Sequence, residues 1–353
     1  MLKILPYLKL AVEKNASDIY FTTNAPAMLK VEGQMLAVGK NKLTGEFIRE
    51  LATSILTPEQ QEFLQSNREI DLATEAGGLG RFRVNIFHQR DSLGMVLRYV
   101  KSDVPRVDDL GVPEVLKDLI MHKRGMLLMV GATGSGKSTT LAAMINHRNE
   151  NAAGHILTIE DPMEFVHPNK RSIVNQREVG TDTLSYENAI HSSLREAPDV
   201  ILIGEIRARE TMDACMQLAN TGHLSISTLH ANNAYQALQR IINLYPEELR
   251  DQLYMDLSLT LRAIISQRLV RTKDGKRCAA VEVMINTPFI SELILNRRVD
   301  EIKDAMAQSS DKGMLTFDNS LFTLYKEGRI DLDEALNNAD SRTNLEAKIN
   351  FGG

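Results

Sequence analysis

The 353-residue sequence contains no tryptophan, and cysteine occurs only at Cys215 and Cys278. Two cysteines that far apart match no paired metal or disulfide spacing, so a reducing cytoplasmic setting is expected. No apolar stretch approaches the ~20 residues that span a bilayer, which leaves membrane association to partners. The opening "MLKILPYLKLAVEKNASDIYF" is interrupted by Lys3, Pro6, Lys9 and Glu13, so it lacks the unbroken apolar core of a signal peptide. A basic excess is missing too. The formal net charge is −5, and no Lys/Arg stripe interleaved with aromatics stands out, which argues against a dedicated nucleic-acid binder. Internal repeats and low-complexity tracts are also missing.

What is present is ordinary globular material, 43% apolar and 25% charged, long enough for two domains. Residues 1–98 read as α+β. "LPYLKLAVEKNA", "LTGEFIRELATSIL" and "TPEQQEFLQSN" carry helical patterns, the last with Thr57 as N-cap, Pro58 at the first helical position and Gln60 at the third. "SDIYFT", "AMLKVEGQMLAV", "EIDLATEA" and "GRFRVNIFHQ" read as strands. Residues 99–114, rich in proline and acids, read as a linker. From 115 to 353 the rhythm changes. The apolar runs "MLLMV", "HILTIE", "DVILIGE" and "LSISTL" alternate with helical patterns, as in a buried parallel sheet flanked by helices. Beyond about residue 245 the pattern is mostly helical, with one hairpin around "DGK". The final "SRTNLEAKINFGG" reads as a loose tail.

The run "GATGSGKSTT" follows "MLLMV" and fits G-x-x-x-x-G-K-[ST]. Gly131, Thr133, Gly134, Ser135 and Gly136 form a loop whose backbone N–H groups can surround a phosphate. Lys137 suits the β- and γ-phosphates, and the Ser138 hydroxyl suits Mg²⁺. Thr139 continues into a helix whose positive end adds to the site. ATP and Mg²⁺ are therefore the expected ligands.

Hydrolysis also needs an acid near the metal and a group that orients water. "DVILIGEIR" ends an apolar strand in Glu205, at the place of a metal-assisting acid, although the usual aspartate is absent and Gly204 precedes the glutamate. "TIEDPMEF" offers Glu160, Asp161 and Glu164 at another strand end, any of which could polarise the water. In "TGHLSISTLHANNA" the two histidines are separated by a strand, and seven residues of strand span ~23 Å. His223 and His230 then cannot share a metal. His230 falls at the phosphate end, either as a structural side chain or as a γ-phosphate contact. Arg81 and Arg83 share one face of a strand, with Phe82, Val84 and Ile86 on the other. With Arg98 they are either solvated surface or arginine fingers.

The P-loop, "TIEDPMEF", "ILIGEIR" and "TGHLSISTLHANNA", in this order, resemble the boxes of the secretion ATPases of the type II/type IV pilus superfamily. The resemblance extends to "SDIYF", "GRFRVNIF" and "SQRLV" and covers nearly the whole chain. It implies a PAS-like N-terminal domain, a RecA-like P-loop ATPase domain with C-terminal helices, and a cytoplasmic homohexamer at the inner-membrane base of the pilus machine. It further implies that Glu164 activates water, Glu205 assists the metal and His230 senses the γ-phosphate. Arg81, Arg83 and Arg98 would come from an N-terminal domain to complete a site. Arg195 matches a basic position of the family. Assembly ATPases of the family carry a long N-terminal extension and a tetracysteine zinc site, and this sequence has neither. It resembles the PilT/PilU retraction branch, which drives twitching motility. The stretch "PFISELILN" stands where principal retraction ATPases have a different box. "LHANNAYQALQRIINLYPEE" and "TFDNSLFTLYKEGRI" resemble the accessory PilU type. A PilT-like ATPase and an inner-membrane platform protein are then the expected partners. The alternatives are a principal retraction motor, an assembly ATPase, a nucleic-acid translocase and a nucleotide-binding scaffold.

Overall fold

The computed structural model describes residues 3–31, 33–76, 78–100, 103–309, 311 and 313–351. The chain divides into two compact units, Met1–Asp103 with Glu164–Val166, and Val104–Met163 with His167–Gly353.

The first unit holds β1 (Asp18–Phe21), β2 (Ala27–Val31), β3 (Gln34–Val38), β4 (Glu69–Glu75), β5 (Arg81–Gln89) and β6 (Ser92–Val100). They form a six-stranded sheet in the order β3-β2-β1-β6-β5-β4, antiparallel throughout. Its helices are α1 (Leu5–Glu13), α2 (Gly45–Thr53) and α3 (Pro58–Asn67). The sheet's alternation sends Ile19, Phe82, Val84, Ile86 and Leu97 into a core shared with Leu8, Ile48 and Leu51 of the helices. The start of α3 is fixed as its sequence specifies. Thr57 Oγ1 accepts from Gln60 N, Gln60 Oε1 accepts from Thr57 N, and Pro58 opens the helix.

The second unit contains α4 (Val115–Ile120), β7 (Gly125–Val130), α5 (Lys137–Asn151), β8 (Gly154–Glu160), β9 (Ser172–Glu178), α6 (Tyr186–Ser193), β10 (Val200–Glu205), α7 (Arg209–Asn220) and β11 (Leu224–Leu229). Then come α8 (Ala234–Asn243), α9 (Arg250–Thr260), β12 (Leu261–Arg271), β13 (Arg277–Ile285), α10 (Pro288–Leu295), α11 (Ile302–Gln308), α12 (Phe317–Lys326), α13 (Leu332–Asn338) and α14 (Arg342–Phe351). The seven-stranded sheet runs β13-β12-β7-β11-β10-β8-β9 and is parallel except for the β12–β13 pair. All of β7 is buried. Met126, Leu128 and Val130 enter one core with α7, α8 and α9, while Leu127 and Met129 enter another with α4 and α5. A strand covered on both faces must be apolar at every position, which is why "MLLMV" shows no alternation.

One reading changes. The last residues are not a loose tail, since α14 packs on α12 and α13 and buries Leu345 completely. The expected hairpin around "DGK" is present as β12 and β13, and β12 also lies parallel to β7 and so extends the central sheet. One face of the hairpin covers α5, and the other, with Val270, Cys278 and Ala280, carries the C-terminal helices.

Candidate nucleotide site

The phosphate loop joins β7 to α5 above the carboxyl end of the sheet, where open α/β sheets bind ligands. Gly136 caps α5 with φ 86°, a left-handed conformation, and a Cβ there would lie 2.7 Å from Gln267 Nε2. Only glycine fits. No side chain caps the helix, so its first N–H groups remain available to an anion. Lys137 Nζ donates to Gly131 O at 2.6 Å and to Ala132 O at 2.9 Å, folded over the loop that it would serve. Ser138 and Thr139 are half-buried in the first turn of α5. Ser135 Oγ is buried without a hydrogen-bond partner. A buried hydroxyl left unpaired is costly, and a phosphate oxygen in the loop would satisfy it.

The loop is held from β12. Gln267 Nε2 donates to Ser135 O at 2.9 Å, and Thr140 Oγ1 donates to Gln267 Oε1 at 2.8 Å, both inside the protein. Beside the loop runs a groove of about 300 Å³ lined by Gly131–Ser135, Asn232, Gln267, Arg268, Leu269 and Arg277.

Glu205 ends β10 and His230 directly follows β11, its parallel neighbour, so the two meet at one sheet edge. Glu205 Oε1 lies 3.3 Å from His230 Nε2, and Arg207 Nε donates to Glu205 Oε2 at 2.8 Å. The glycine before Glu205 has a steric reason, because a Cβ at Gly204 would lie 2.5 Å from Tyr186 Oη. Burial, together with Asp161, Glu160 and Glu205, holds the Tyr186 phenol well above its ordinary pKa. His230 O accepts from Arg240, while Arg268 donates to Asn232 O, Asn338 O and Asp340. Arg268 thus ties the loop after His230 to the C-terminal helices.

His223 lies at the far end of β11, where its Nδ1 meets Leu218 O and Thr221 Oγ1, both at 3.1 Å. It closes the end of α7 and is remote from the phosphate loop. Glu160 ends β8 and accepts from Thr158 and Gln176. Among the described residues no group of histidine, cysteine and acidic side chains is arranged to hold a metal by itself.

Glu164, Arg81, Arg83 and Arg98 fall in the N-terminal unit. Glu164 groups with it, and Glu164 together with the hydrogen-bonded Asp18 raises the Arg98 pKa, Asp18 more strongly. Arg98 Nε donates to Asp18 Oδ1 at 2.8 Å. Arg83 pairs directly opposite Arg98, and Arg81 is two residues along the same strand, so the three share the sheet face turned away from Phe82 and Val84. Arg195 is exposed just after α6.

The model of the type II/IV secretion system proteins matches residues 3–342. The chain belongs to this family. Among secretion-system relatives it is 49% identical to the type IV pilus ATPase PilU of Pseudomonas aeruginosa, over 98% of this chain and 91% of that protein. It is 39% identical to the PilT retraction ATPase of the same organism, over 94% of this chain and 96% of that one. A crystal structure of the pilus retraction motor PilT with bound ADP superposes with a TM-score of 0.91 at 38% identity, covering 97% of this chain and 98% of that one.

Gln267 and Arg268 were not singled out from the sequence as individual residues. Both lie within "SQRLV", a box the secretion-family resemblance includes, and a Gln-Arg pair inside an otherwise apolar strand is the signal that could have found them.

Proposed function

We propose that the protein is an ATP-hydrolysing motor of type IV pilus retraction, of the accessory kind. The observation that carries the reading is the phosphate loop braced by Gln267 beside the Glu205–His230 pair, in a chain so similar to PilU from end to end. The loop N–H groups and Lys137 hold the β- and γ-phosphates. Ser138 and Glu205 would offer hard oxygen donors to Mg²⁺. When bound, Mg²⁺ neutralises charge on the phosphates. Glu164 takes the proton of a water whose oxygen attacks the γ-phosphorus, the bond to the bridging oxygen breaks, and ADP and phosphate leave. His230 answers to the γ-phosphate and passes its loss to Glu205. Arg81, Arg83 and Arg98 supply positive charge from the N-terminal unit within a homohexamer.

The proposed setting is the cytoplasmic base of the pilus machine, with a PilT-like ATPase and a platform protein as partners. No helix among the described residues is long and apolar enough to cross a membrane. Deletion tests the reading. Cells lacking the protein are expected to assemble pili and to retract them less often or with less force. Cells that make no pili without it would assign it to assembly instead, and ATPase activity stimulated by DNA would favour a translocase.

A further inference from the structure

Neighbouring residues of a strand face opposite ways, and β12 uses both faces at one point. Gln267 turns to the phosphate loop, where its Nε2 donates to Ser135 O. Arg268 turns to the other side, and its guanidinium carbon lies 3.9 Å from the centre of the buried Phe317 ring at the start of α12. From there it donates to Asn232 O at 3.1 Å, to Asn338 O at 2.6 Å and to Asp340 Oδ1 at 2.5 Å.

Residues 230–233 alone join β11 to α8. Beyond His230 this short connection is fixed at successive residues. Asn232 O accepts from Arg268, Asn233 Nδ2 donates to Asp340 Oδ2 at 2.9 Å, and Ala234 N donates to Glu282 Oε1 at 2.8 Å. Asn233 Oδ1 accepts from Gln236 N and so caps α8. Asp340 is the residue common to the Asn232 and Asn233 contacts. It stands in the turn between α13 and α14, where its N–H donates to Asp318 Oδ1 of α12 at 2.8 Å. One carboxylate oxygen takes Arg268, the other takes Asn233, and the side chain is only 9% exposed. Charge-assisted contacts largely out of water are stronger than surface pairs and hold their partners to one geometry. Lys303, the other cation near the carboxylate, is 4.0 Å away and beyond hydrogen-bond reach.

We propose that Asp340 is a positioning residue for His230: it fixes Asn233 directly and Asn232 through Arg268, and so sets where the imidazole stands against the γ-phosphate of bound ATP. The inference rests on the γ-phosphate role of His230 given above and adds what holds that side chain in place. The phosphate loop has its own brace in Gln267, so loss of Asp340 should spare the hold on the α- and β-phosphates. Asp340 then governs kcat and the preference for a triphosphate over a diphosphate.

The test uses the full-length protein and its Asp340→Ala, Asn233→Asp, His230→Ala and Asp340→Ala/His230→Ala variants. Asn233→Asp keeps a good helix cap and sets a carboxylate against Asp340 in place of the amide donor, so it breaks the same contact from the other side. Each protein is titrated with ADP and with a non-hydrolysable ATP analogue that carries an imido bridge, and its ATPase kinetics are measured. Asp340→Ala and Asn233→Asp should each lower kcat by about 10- to 100-fold, the range expected when a reacting group is displaced from a distance. Both should bind ADP as the native protein does and lose preference for the analogue. The double variant should be no slower than His230→Ala, because Asp340 acts through His230. Equal weakening of ADP and analogue would make Asp340 a prop of the whole site and overturn the proposal. Unchanged kcat in Asn233→Asp, or losses that multiply in the double variant, would overturn it too. His230→Ala separates the two readings. If that variant keeps native kcat and native preference for the analogue, the γ-phosphate role of His230 is itself wrong and the inference falls with it.

Discussion

Glu205 Oε1 stands 3.3 Å from His230 Nε2, although the two residues end different strands. The contact exists because β10 and β11 are parallel neighbours that stop at the same sheet edge. A pair in contact should act as a unit. His230→Ala and Glu205→Gln are each expected to lower kcat, and the double variant should lose less than the product of the single losses. The coupling should be about 0.5–3 kcal/mol in activation free energy. Steady-state kinetics on the four proteins measures it, and simple multiplication of the losses would show that the two side chains act independently.

Glu164→Gln should bind ATP and fail to hydrolyse it. The amide retains the shape of the carboxylate and loses the charge that accepts a proton from water, an effect of about 10²-fold or more on kcat. Single-turnover hydrolysis beside an ATP-binding titration checks it. Persistent turnover in this variant, with none in Glu205→Gln, would exchange the two roles.

Gln267→Leu should loosen the phosphate loop from β12. The substitution leaves the Thr140 hydroxyl and the Ser135 carbonyl without their partner inside the protein. Each orphaned group costs about 1–3 kcal/mol, so melting should fall by several degrees and ADP should bind less tightly. Thermal melting with and without ADP reports both effects.

Glu282 makes stability depend on pH. Its carboxylate is buried, where it accepts from Ala234 N and Ser266 Oγ, and burial raises its pKa from 4.5 to about 7, with Asp340 adding to the shift and Arg268 opposing it. The folded protein then holds this proton more tightly than the unfolded chain. The group's contribution is fully present below the unfolded value and is lost as pH rises to about 7. Glu282→Gln keeps an acceptor oxygen without the charge. Relative to the native protein it should gain stability between pH 5 and pH 8, and denaturant melts at the two pH values should differ accordingly. A difference that does not change with pH would mean that Glu282 does not titrate in this window.

Much of the architecture was legible in the residues. "MLLMV" and "DVILIGE" are apolar at nearly every position because both faces of their strands are covered, and the glycine-rich loop between strand and helix follows from phosphate chemistry alone. The alternation in "GRFRVNIF" separated Arg81 and Arg83 from the core correctly. The tail does not read as a helix because α14 offers few apolar residues; buried Leu345 and partly buried Ile349 seat it against α12 and α13, and Lys348 reaches Asn319 and the Phe322 ring of α12. β9 was missed for a related reason. It is an edge strand whose exposed positions, Ile173 and Asn175, and polar end "NQRE" blur the pattern. The bracing of the phosphate loop by Gln267 was out of reach of local pattern altogether, because it joins residues more than a hundred positions apart through sheet order. The grouping of Glu164 with the N-terminal unit is likewise a property of the fold and not of the acidic box in which it lies.

The most direct measurement is the imaging of single labelled pili in cells whose principal retraction ATPase is catalytically dead but present. With this protein intact, extended pili are expected to retract. With its Lys137→Ala variant they are expected to remain extended, because ATP turnover at this phosphate loop is then the only source of force. Retraction that continues with Lys137→Ala, or that is absent with the intact protein, would contradict the account.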